Sequence, residues 1–337
     1  MRSPRRFGHR LMRPSIVAIT AALLALTACA SDQDDESSPS GDGPGFPVSI
    51  THAHGTTTIE SEPTRVVTVG YTDPEPVLAL GVKPVGVMEW FGKDIDRTWP
   101  WVKDRWGSTV PEYVGTNASG TLAFEKIAAL EPDLILGLYA DLSKEEYDKL
   151  SAIAPTVAQS PDHAPYTTPW TEMTQTAGLA LGRADEAKEL IDDIEASFAA
   201  AREEHPEFAD QTAAVVDAGD GNFFPFSAKD PRGVFLSSLG FQAPQQLNDW
   251  LGSDFGNTLS KEHLGYLDVD RLIVLANEPA REQLAKDHLY QQLDVVRDGR
   301  ALEVPYDESP PVGAAVAYNS VLSIPYALET VVPRLAR

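Results

Sequence analysis

Short apolar runs rich in β-branched residues alternate along this chain with segments of helical periodicity, and this alternation constrains the fold more than any other feature. In the first half we predict strands at 65–70, 84–88, 133–139 and 155–158, and helices at 75–80, 122–130 and 144–153. In the second half the predicted strands are 212–217, 271–276 and 301–304, and the predicted helices are 233–239, 282–293 and 319–335. Strands that alternate with helices form parallel sheets flanked by helices, so we expect an α/β protein.

The two halves repeat one pattern of a helix followed by a strand. Five positions of the first half match five positions of the second at a constant separation of 137 residues. They pair Leu122 with Leu259, Glu125 with Glu262, Ile127 with Leu264, Leu130 with Leu267 and Asp133 with Asp270. An apolar run follows each set. The repetition predicts two copies of one structural unit.

A long amphipathic helix is predicted at 184–206, between the two halves. Its apolar positions recur at helical spacing with acidic residues on the other face, and Pro206 limits its far end. The chain is long enough for two domains, which we place at 46–183 and 207–337. A helix of about twenty residues spans about 30 Å and resists bending, so it would permit only small relative motion of the domains.

The N-terminus has the pattern of a secretory signal peptide. Five arginines precede an uncharged run, 16–28, that ends on small residues. The run has 13 residues, fewer than the roughly 18 needed to cross a bilayer. Leu26 to Cys29 resembles the lipobox of bacterial lipoproteins, so we expect a signal peptide at 1–28 and lipid attachment at Cys29, the only cysteine. The alternative is an ordinary signal peptide with a chance cysteine at its end.

The residues after Cys29 predict a tether and an acidic mature protein. Residues 30–45 contain no large apolar side chain, so we expect 29–45 to form a lipid anchor and a disordered acidic tether. Without residues 1–28 the chain keeps 22 basic and 50 acidic residues, a formal net charge of −28. Nucleic acid is a poor partner for such a surface, and a neutral or cationic small ligand is favoured over an anionic one.

Three segments of the chain resemble the marker segments of cluster-III substrate-binding proteins, the iron-siderophore and cobalamin binders of ABC importers. They are EPTRVVTVGYTDPEPVLALGVKPVGV, LAFEKIAALEPDLILG and LSKEHLGYLDVDRLIVL. The segment THAHGTTTIESEPTRVV ahead of the first strand is more typical of the siderophore branch. The similarity runs from about Phe46 to the C-terminus.

The resemblance implies a fold and a set of partners. It implies two doubly wound Rossmann-like lobes joined by a single long rigid helix, with a ferric siderophore held between the lobes. An ABC importer permease would recognise both lobes, and the protein would be a monomer fixed to the outer face of the cell membrane by its lipid anchor only. We expect no cofactor, no catalytic residue and no metal ligand, because the siderophore itself holds the iron.

Candidate ligand-binding residues follow the predicted strands, because in open α/β sheets ligands bind beyond the carboxyl ends of strands. This rule selects Tyr71, Trp90, Tyr139 and Asn277. The loop between 93 and 106 contains three tryptophans, of which we select Trp101. The alternative for these tryptophans is that they cap the domain core, since Trp is usually largely buried.

Further site residues come from the family resemblance. Arg232 occupies a position where siderophore binders often carry an arginine that bonds the chelate oxygens, and Phe224 lies near it. A surface ion pair between Arg232 and Asp230 is the alternative. Tyr318 matches another ligand-facing stretch, and Glu75 matches the acidic residue that meets the permease.

The single arginine at these positions favours a hydroxamate siderophore. A ferric tris-catecholate complex is strongly anionic, and one arginine in an acidic protein would compensate it poorly. Ferric hydroxamates are neutral or cationic and suit aromatic walls. A corrinoid or haem could use the same walls and stays open as an alternative.

Two other classes of protein are less well supported by the sequence. A zinc- or manganese-binding protein needs clustered ligands, and only His52 and His54 lie close together, in a segment that we interpret as structural. A cell-envelope hydrolase would need a nucleophile motif, and the sequence has neither Gly-x-Ser-x-Gly nor Gly-x-x-x-x-Gly-Lys.

Overall fold

The structure is a computed structural model that describes residues 45–91, 96–116, 120–306 and 308–337. The predicted signal peptide at 1–28, the predicted lipid site Cys29 and the predicted tether, apart from its last residue, lie outside the described residues. Among the described residues, no helix combines the length and apolarity needed to cross a bilayer. The α/β fold predicted from the sequence is confirmed in both lobes.

A hairpin and a six-stranded sheet belong to the N-terminal lobe. The hairpin pairs β1 (Val48–His52) with β2 (Gly55–Ile59). The strands of the sheet are β3 (Val66–Thr68), β4 (Gly86–Glu89), β5 (Glu112–Thr116), β6 (Thr121–Leu122), β7 (Leu134–Leu136) and β8 (Thr156–Val157). Their order is β6-β5-β4-β3-β7-β8, and all neighbours are parallel except β5 and β6.

The helices of this lobe are short, and one long helix leaves it. The short ones are α1 (Pro74–Ala79), α2 (Lys103–Trp106), α3 (Phe124–Ala129), α4 (Lys144–Ser151) and α5 (Trp170–Ala180). Helix α6 (Ala184–Glu204) is the long amphipathic helix predicted at 184–206. It packs Ala187 into the N-terminal core and Ile194 and Phe198 into the C-terminal core, so each end is held by a different lobe.

The C-terminal lobe contains a four-stranded sheet flanked by six helices. The strands are β9 (Ala213–Gly219), β10 (Asn222–Pro225), β11 (Arg271–Leu275) and β12 (Ala301–Val304), in the order β10-β9-β11-β12. The helices are α7 (Pro231–Ser238), α8 (Gln245–Leu251), α9 (Glu278–Leu284), α10 (Asp294–Arg297), α11 (Val312–Tyr318) and α12 (Ser323–Leu335). Strand β11 is parallel to both of its neighbours, whereas β10 is antiparallel to β9.

The two aspartates of the sequence repeat make the same contact in each lobe. Asp133 Oδ2 accepts hydrogen bonds from the backbone N–H and the hydroxyl of Thr64, both at 2.8 Å. Asp270 Oδ2 accepts the same two bonds from Thr212, also at 2.8 Å. Each aspartate precedes one parallel strand and each threonine precedes its neighbour, so the bonds set the starting points of β3 with β7 and of β9 with β11. The repeat therefore corresponds to one structural unit used twice.

Two predicted helices are wrong in extent. The helix predicted at 282–293 ends at Leu284, because Asp287 Oδ1 accepts hydrogen bonds from the backbone N–H groups of Leu289 and Tyr290 and turns the chain. The helix predicted at 319–335 begins only at Ser323. Asn319 has φ of 39° and ends a separate helix, α11, that the sequence pattern did not predict.

The C-terminal helices reach back to the N-terminal lobe. Ala314 and Tyr318 of α11 share a buried cluster with Leu78 of α1, Val87 of β4 and Trp99. In this way the lobes pack together through apolar side chains, in addition to their covalent link through α6. Trp99 and Trp106 are each 4% exposed. These two tryptophans are therefore core residues, which is the alternative stated for them in the sequence analysis.

Candidate functional site

Side chains that follow three parallel strands meet at one edge of the N-terminal sheet. Tyr71 follows β3, Trp90 follows β4 and Tyr139 follows β7. The ring centroid of Trp90 lies 5.6 Å from that of Tyr71 and 6.2 Å from that of Tyr139. The carboxyl ends of neighbouring parallel strands share an edge, which is why residues so far apart in sequence come together.

The C-terminal lobe adds two more of the predicted residues to this group. The ring of Tyr318 lies 4.8 Å from that of Trp90, and Cζ of Arg232 lies 5.9 Å from the centre of the Trp90 ring. We define the inter-lobe cluster by the residues that meet around Trp90 and Tyr139. These are Tyr71, Trp90, Tyr139, Tyr166, Arg232 and Tyr318.

Arg232 is buried and paired within its own lobe. Its Nη1 donates to both carboxylate oxygens of Asp230 at 2.9 Å, and its Nη2 donates to the hydroxyl of Tyr306 at 3.3 Å. Its Cζ lies 3.9 Å from the centre of the Phe226 ring. Burial opposes the charge of Arg232, but Asp230, Tyr306 and Tyr139 together outweigh this effect and raise the pKa of the guanidinium.

One donor of Arg232 remains unused. Its Nε is buried and has no hydrogen-bond partner among the described residues. Because a buried guanidinium N–H without an acceptor is costly, this group is suited to an acceptor oxygen that enters from outside the chain. The ion pair with Asp230, the alternative weighed from the sequence, is present but is fully buried rather than at the surface.

Three tyrosines of the inter-lobe cluster, Tyr71, Tyr139 and Tyr166, are neutral hydrogen-bond donors at physiological pH. Burial raises the pKa of Tyr139, and the nearby Asp230 raises it further against the opposing effect of Arg232. Burial also raises the pKa of Tyr71, and it raises that of Tyr166 to about 12. Their hydroxyl groups therefore keep their protons and can donate to anionic oxygens.

Asp73 holds the two strand ends that carry Tyr71 and Tyr139. Its carboxylate accepts three backbone hydrogen bonds, from Gly70 at 3.1 Å, Leu138 at 2.7 Å and Tyr139 at 2.8 Å. It is 0% exposed, and this burial raises its pKa to about 6 against the opposing effect of the three bonds. A Cβ at Gly70 would lie 2.4 Å from Asp73 Oδ2, so the close approach of the Asp73 carboxylate to the backbone at position 70 requires glycine.

Three of the predicted site residues lie elsewhere. Asn277 is exposed, and its Oδ1 accepts a hydrogen bond from Ala280 N as the N-cap of α9. Trp101 packs against Tyr326 at 5.3 Å and donates to Glu75. Phe224 packs against the C-terminal core, 5.4 Å from Phe226 and 5.8 Å from Phe255.

Glu75 is not presented to a partner protein in this structure. It is 2% exposed, and its Oε1 accepts a hydrogen bond from Trp101 Nε1 at 2.7 Å. Its Oε2 accepts a bond from the Ser320 hydroxyl of the opposite lobe. A permease contact requires an accessible carboxylate, whereas this one is occupied by an inter-lobe contact.

Sequence reasoning missed two aromatic residues of this region, Tyr166 and Phe255. Tyr166 belongs to a loop rather than to a strand end, and its ring lies 6.2 Å from Tyr71 and 5.5 Å from Tyr139. Phe255 of the C-terminal lobe lies 6.1 Å from Tyr166. The Pro165-Tyr166 pair could have indicated the position of Tyr166, since it marks a turn in the loop that follows the strand predicted at 155–158.

A cavity that is open to solvent at its mouth lies beside these rings in the N-terminal lobe. Tyr71, Tyr139 and Tyr166 line it together with Asp141 and Glu146. The lining combines phenol rings with carboxylates, which favours neutral or cationic chemical groups over anionic ones.

The two histidines near the first hairpin have structural partners. The Nδ1 of His52 accepts a hydrogen bond from His54 N at 3.2 Å, and the Nε2 of His54 donates to the carbonyl oxygen of Leu142 at 2.6 Å. Over the described ranges, no three His, Cys, Asp or Glu side chains lie close enough together to hold a metal ion.

Residues 66–307 match the family model for periplasmic binding proteins. Two relatives from Bacillus subtilis align over most of the chain. The "Probable siderophore-binding lipoprotein YfiY" is 29% identical over 298 residues, which cover 84% of this chain and 87% of the relative. The "Fe(3+)-citrate-binding protein YfmC" is 26% identical over 306 residues, which cover 90% of this chain and 92% of the relative.

Solved structures show the same fold. A periplasmic solute binding protein from Mycobacterium smegmatis superposes with a TM-score of 0.75 at 30% identity, covering 86% of this chain and 98% of the other. PiaA of Streptococcus pneumoniae in complex with ferrichrome superposes with a TM-score of 0.72 at 29% identity, covering 86% and 97%.

Proposed function

Because this chain belongs to the periplasmic binding protein family, we propose that it is the substrate-binding protein of an ABC importer and that it captures a ferric siderophore between its lobes. The observation that carries this function is the inter-lobe cluster. In that cluster neutral tyrosine hydroxyls, a tryptophan and one buried guanidinium converge from both lobes at the ends of the strands. Such walls suit a large chelate that is apolar outside and presents oxygens at its metal centre.

The charges around the cluster favour a neutral or cationic complex, as ferric hydroxamates are. Asp230 already compensates the charge of Arg232 at 2.9 Å. The carboxylates of Asp141 and Glu146 line the cavity beside Tyr166, so negative charge predominates there. The inter-lobe cluster, as defined by its six residues, contains one cation, which Asp230 already balances, so it would compensate a strongly anionic ferric catecholate poorly. The unused Nε of Arg232 can still bond one chelate oxygen.

The relatives support the ligand class in part. The name of YfiY indicates siderophore binding, and the solved PiaA complex contains ferrichrome. The name of YfmC indicates ferric citrate, an anionic complex, and ferric citrate is therefore the rival that the experiment must include.

The ligand class is tested by titrating the purified protein while tryptophan fluorescence is recorded. We expect ferrioxamine B and ferrichrome to quench the fluorescence with dissociation constants below about 1 μM. Ferric enterobactin and ferric citrate should bind at least about a hundredfold more weakly, since each adds uncompensated negative charge. Sub-micromolar binding of either anionic complex, with none of the hydroxamates, would contradict the proposal.

Attachment to the membrane completes the proposed role. Lipid on Cys29 would hold the protein at the outer face of the cell membrane, next to its permease. The signal sequence and the lipoprotein named among the relatives support this attachment. Intact-mass spectrometry of detergent-extracted protein tests this attachment directly. A mass that corresponds to an unmodified Cys29 or to an uncleaved signal peptide would exclude lipid attachment.

A further inference from the structure

Tyr166 occupies a turn position that normally belongs to glycine or asparagine. The carbonyl oxygen of Ala164 accepts hydrogen bonds from the backbone N–H of Thr167 at 3.1 Å and from its hydroxyl at 2.8 Å. Pro165 is the second residue of this turn, and Tyr166 is the third, with φ of 60°. A bulky residue at positive φ is strained, and such strain is found most often where a side chain is needed in one direction.

The strained backbone directs the Tyr166 ring across the gap between the lobes. The ring stacks on Tyr71 and meets the edge of Tyr139, both in the N-terminal lobe. On its other side it meets Phe255 of the C-terminal lobe at 6.1 Å, with an interplanar angle of 63°. Phe255 is 37% exposed, so its ring is accessible to a ligand.

Each ring is fixed to its own lobe. The loop of Tyr166 is bound to α5 through His163, whose Nε2 lies 2.8 Å from Glu172 Oε2. The backbone of Phe255 is bound through its carbonyl oxygen, which accepts a hydrogen bond from Ser227 N at 2.8 Å. The next residue, Gly256, forms a strand-like bridge with Phe226, the ring that lies against Arg232. The two rings therefore move with the lobes and not independently of them.

We infer that Tyr166 and Phe255 form an aromatic clip that closes over the bound complex and sets how slowly it dissociates. This inference rests on the proposed function and identifies two residues that control retention. The clip suits a neutral or singly cationic chelate with an apolar flank, because both rings present apolar faces and edges beside the carboxylates of Asp141 and Glu146. It acts after binding, so it affects the dissociation rate more than the association rate.

The clip is tested by stopped-flow kinetics with ferrioxamine B and ferrichrome. Tyr166→Gly and Phe255→Ala should each raise the dissociation rate about tenfold, with a much smaller change in the association rate. Tyr166→Phe keeps the ring and loses only the hydroxyl, so its dissociation rate should rise much less than that of Tyr166→Gly. Leu289→Ala is the matched control, because Leu289 is an apolar side chain of the same lobe as Phe255 and is 47% exposed.

The double variant tests whether the two rings act as one unit. Since each ring needs the other to close the gap, Tyr166→Gly combined with Phe255→Ala should raise the dissociation rate by less than the product of the single effects. Full multiplication of the two effects would show two independent contacts and would overturn the clip.

Equilibrium unfolding separates retention from a purely structural role. Glycine adopts positive φ without strain, and this relief should offset part of the packing that Tyr166→Gly loses against Tyr71 and Tyr139, so the free energy of unfolding should change little while retention is lost. A lower free energy of unfolding with an unchanged dissociation rate would make Tyr166 a packing residue and overturn the inference.

The panel of chelates separates this inference from the proposed ligand class. If the wild type binds another chelate of the panel instead, the proposed ligand class fails, and the dissociation rates of the same variants with that chelate still test whether the clip exists. If it binds none, both proposals fail.

Discussion

At the scale of single residues, local position predicted the aromatic contacts better than it predicted the polar ones. Tyr71, Trp90 and Tyr139 were predictable because any side chain at the end of a parallel strand faces the same edge of the sheet. Asn277 obeys the same rule, but its amide caps α9, and nothing in the sequence shows which use an asparagine has. Asp73 was not predicted, since its three bonds depend on two strand ends that meet only in the fold.

Replacing Asp73 with asparagine should destabilise the protein. The amide offers one acceptor oxygen in place of two, so at least one buried backbone N–H loses its partner. We expect Asp73→Asn to lower the free energy of unfolding at pH 8 by about 2–3 kcal/mol in urea denaturation. Asp249→Asn changes an exposed carboxylate of α8 and should stay within about 0.5 kcal/mol of the wild type. Equal effects of the two substitutions would contradict this role.

The pH dependence of stability should reflect the protonation of the Asp73 carboxyl group. Its pKa of about 6 in the folded protein exceeds the ordinary value of 3.8, so between these values the folded state binds more protons than the unfolded chain. Acidification from pH 7 to pH 4 therefore adds to the free energy of unfolding, by about 2.4 kcal/mol from this group. The difference in unfolding free energy between wild type and Asp73→Asn should increase by that amount as the pH falls. A difference that shrinks would mean that the pKa is lowered instead.

At the scale of elements, the sequence predicted those that have a strong local pattern of apolar residues. Strand β12 was predicted to the residue, and α6 to within two residues, because an apolar run and an amphipathic stripe are local signals. The helix predicted at 282–293 failed because one side chain, Asp287, ends the regular pattern. Packing between elements has no such local signal. Gly178 shows this, since a Cβ there would lie 2.4 Å from the Cβ of Ala187, where α5 meets α6.

Gly178→Ala should separate α5 from α6. Alanine is the better helix former, but its methyl group would overlap Ala187, and overpacking of this kind costs about 1–3 kcal/mol. We therefore expect a net loss of unfolding free energy in denaturant titrations. Gly265→Ala is the control, because a Cβ at Gly265 would meet nothing within 4 Å. A gain in stability from Gly178→Ala would show that the two helices can move apart freely.

At the scale of the whole molecule, the sequence repeat predicted two similar lobes but not how they face each other. Their arrangement depends on contacts between distant segments, such as Glu75 with Ser320 and Trp101 with Tyr326. Helix α6 is anchored in both cores along its length, so it resists bending between the lobes. A ligand is therefore admitted through small movements of the lobes, which carry the Tyr166 and Phe255 rings with them.

Solution scattering should show little change of overall size when the ligand binds. We expect the radius of gyration to change by less than about 1 Å between the free protein and its complex with the preferred chelate. Tryptophan fluorescence should change strongly in the same samples, since Trp90 belongs to the inter-lobe cluster. A contraction of several ångströms would contradict this expectation and would indicate a hinge in α6.

The return of α11 to the N-terminal lobe has a consequence for biosynthesis. Leu78, Val87 and Trp99 are covered by Ala314 and Tyr318, which leave the ribosome long after them. Until α11 has been synthesised, the nascent chain presents an uncovered apolar surface, and a chaperone that shields this surface must stay bound up to that point.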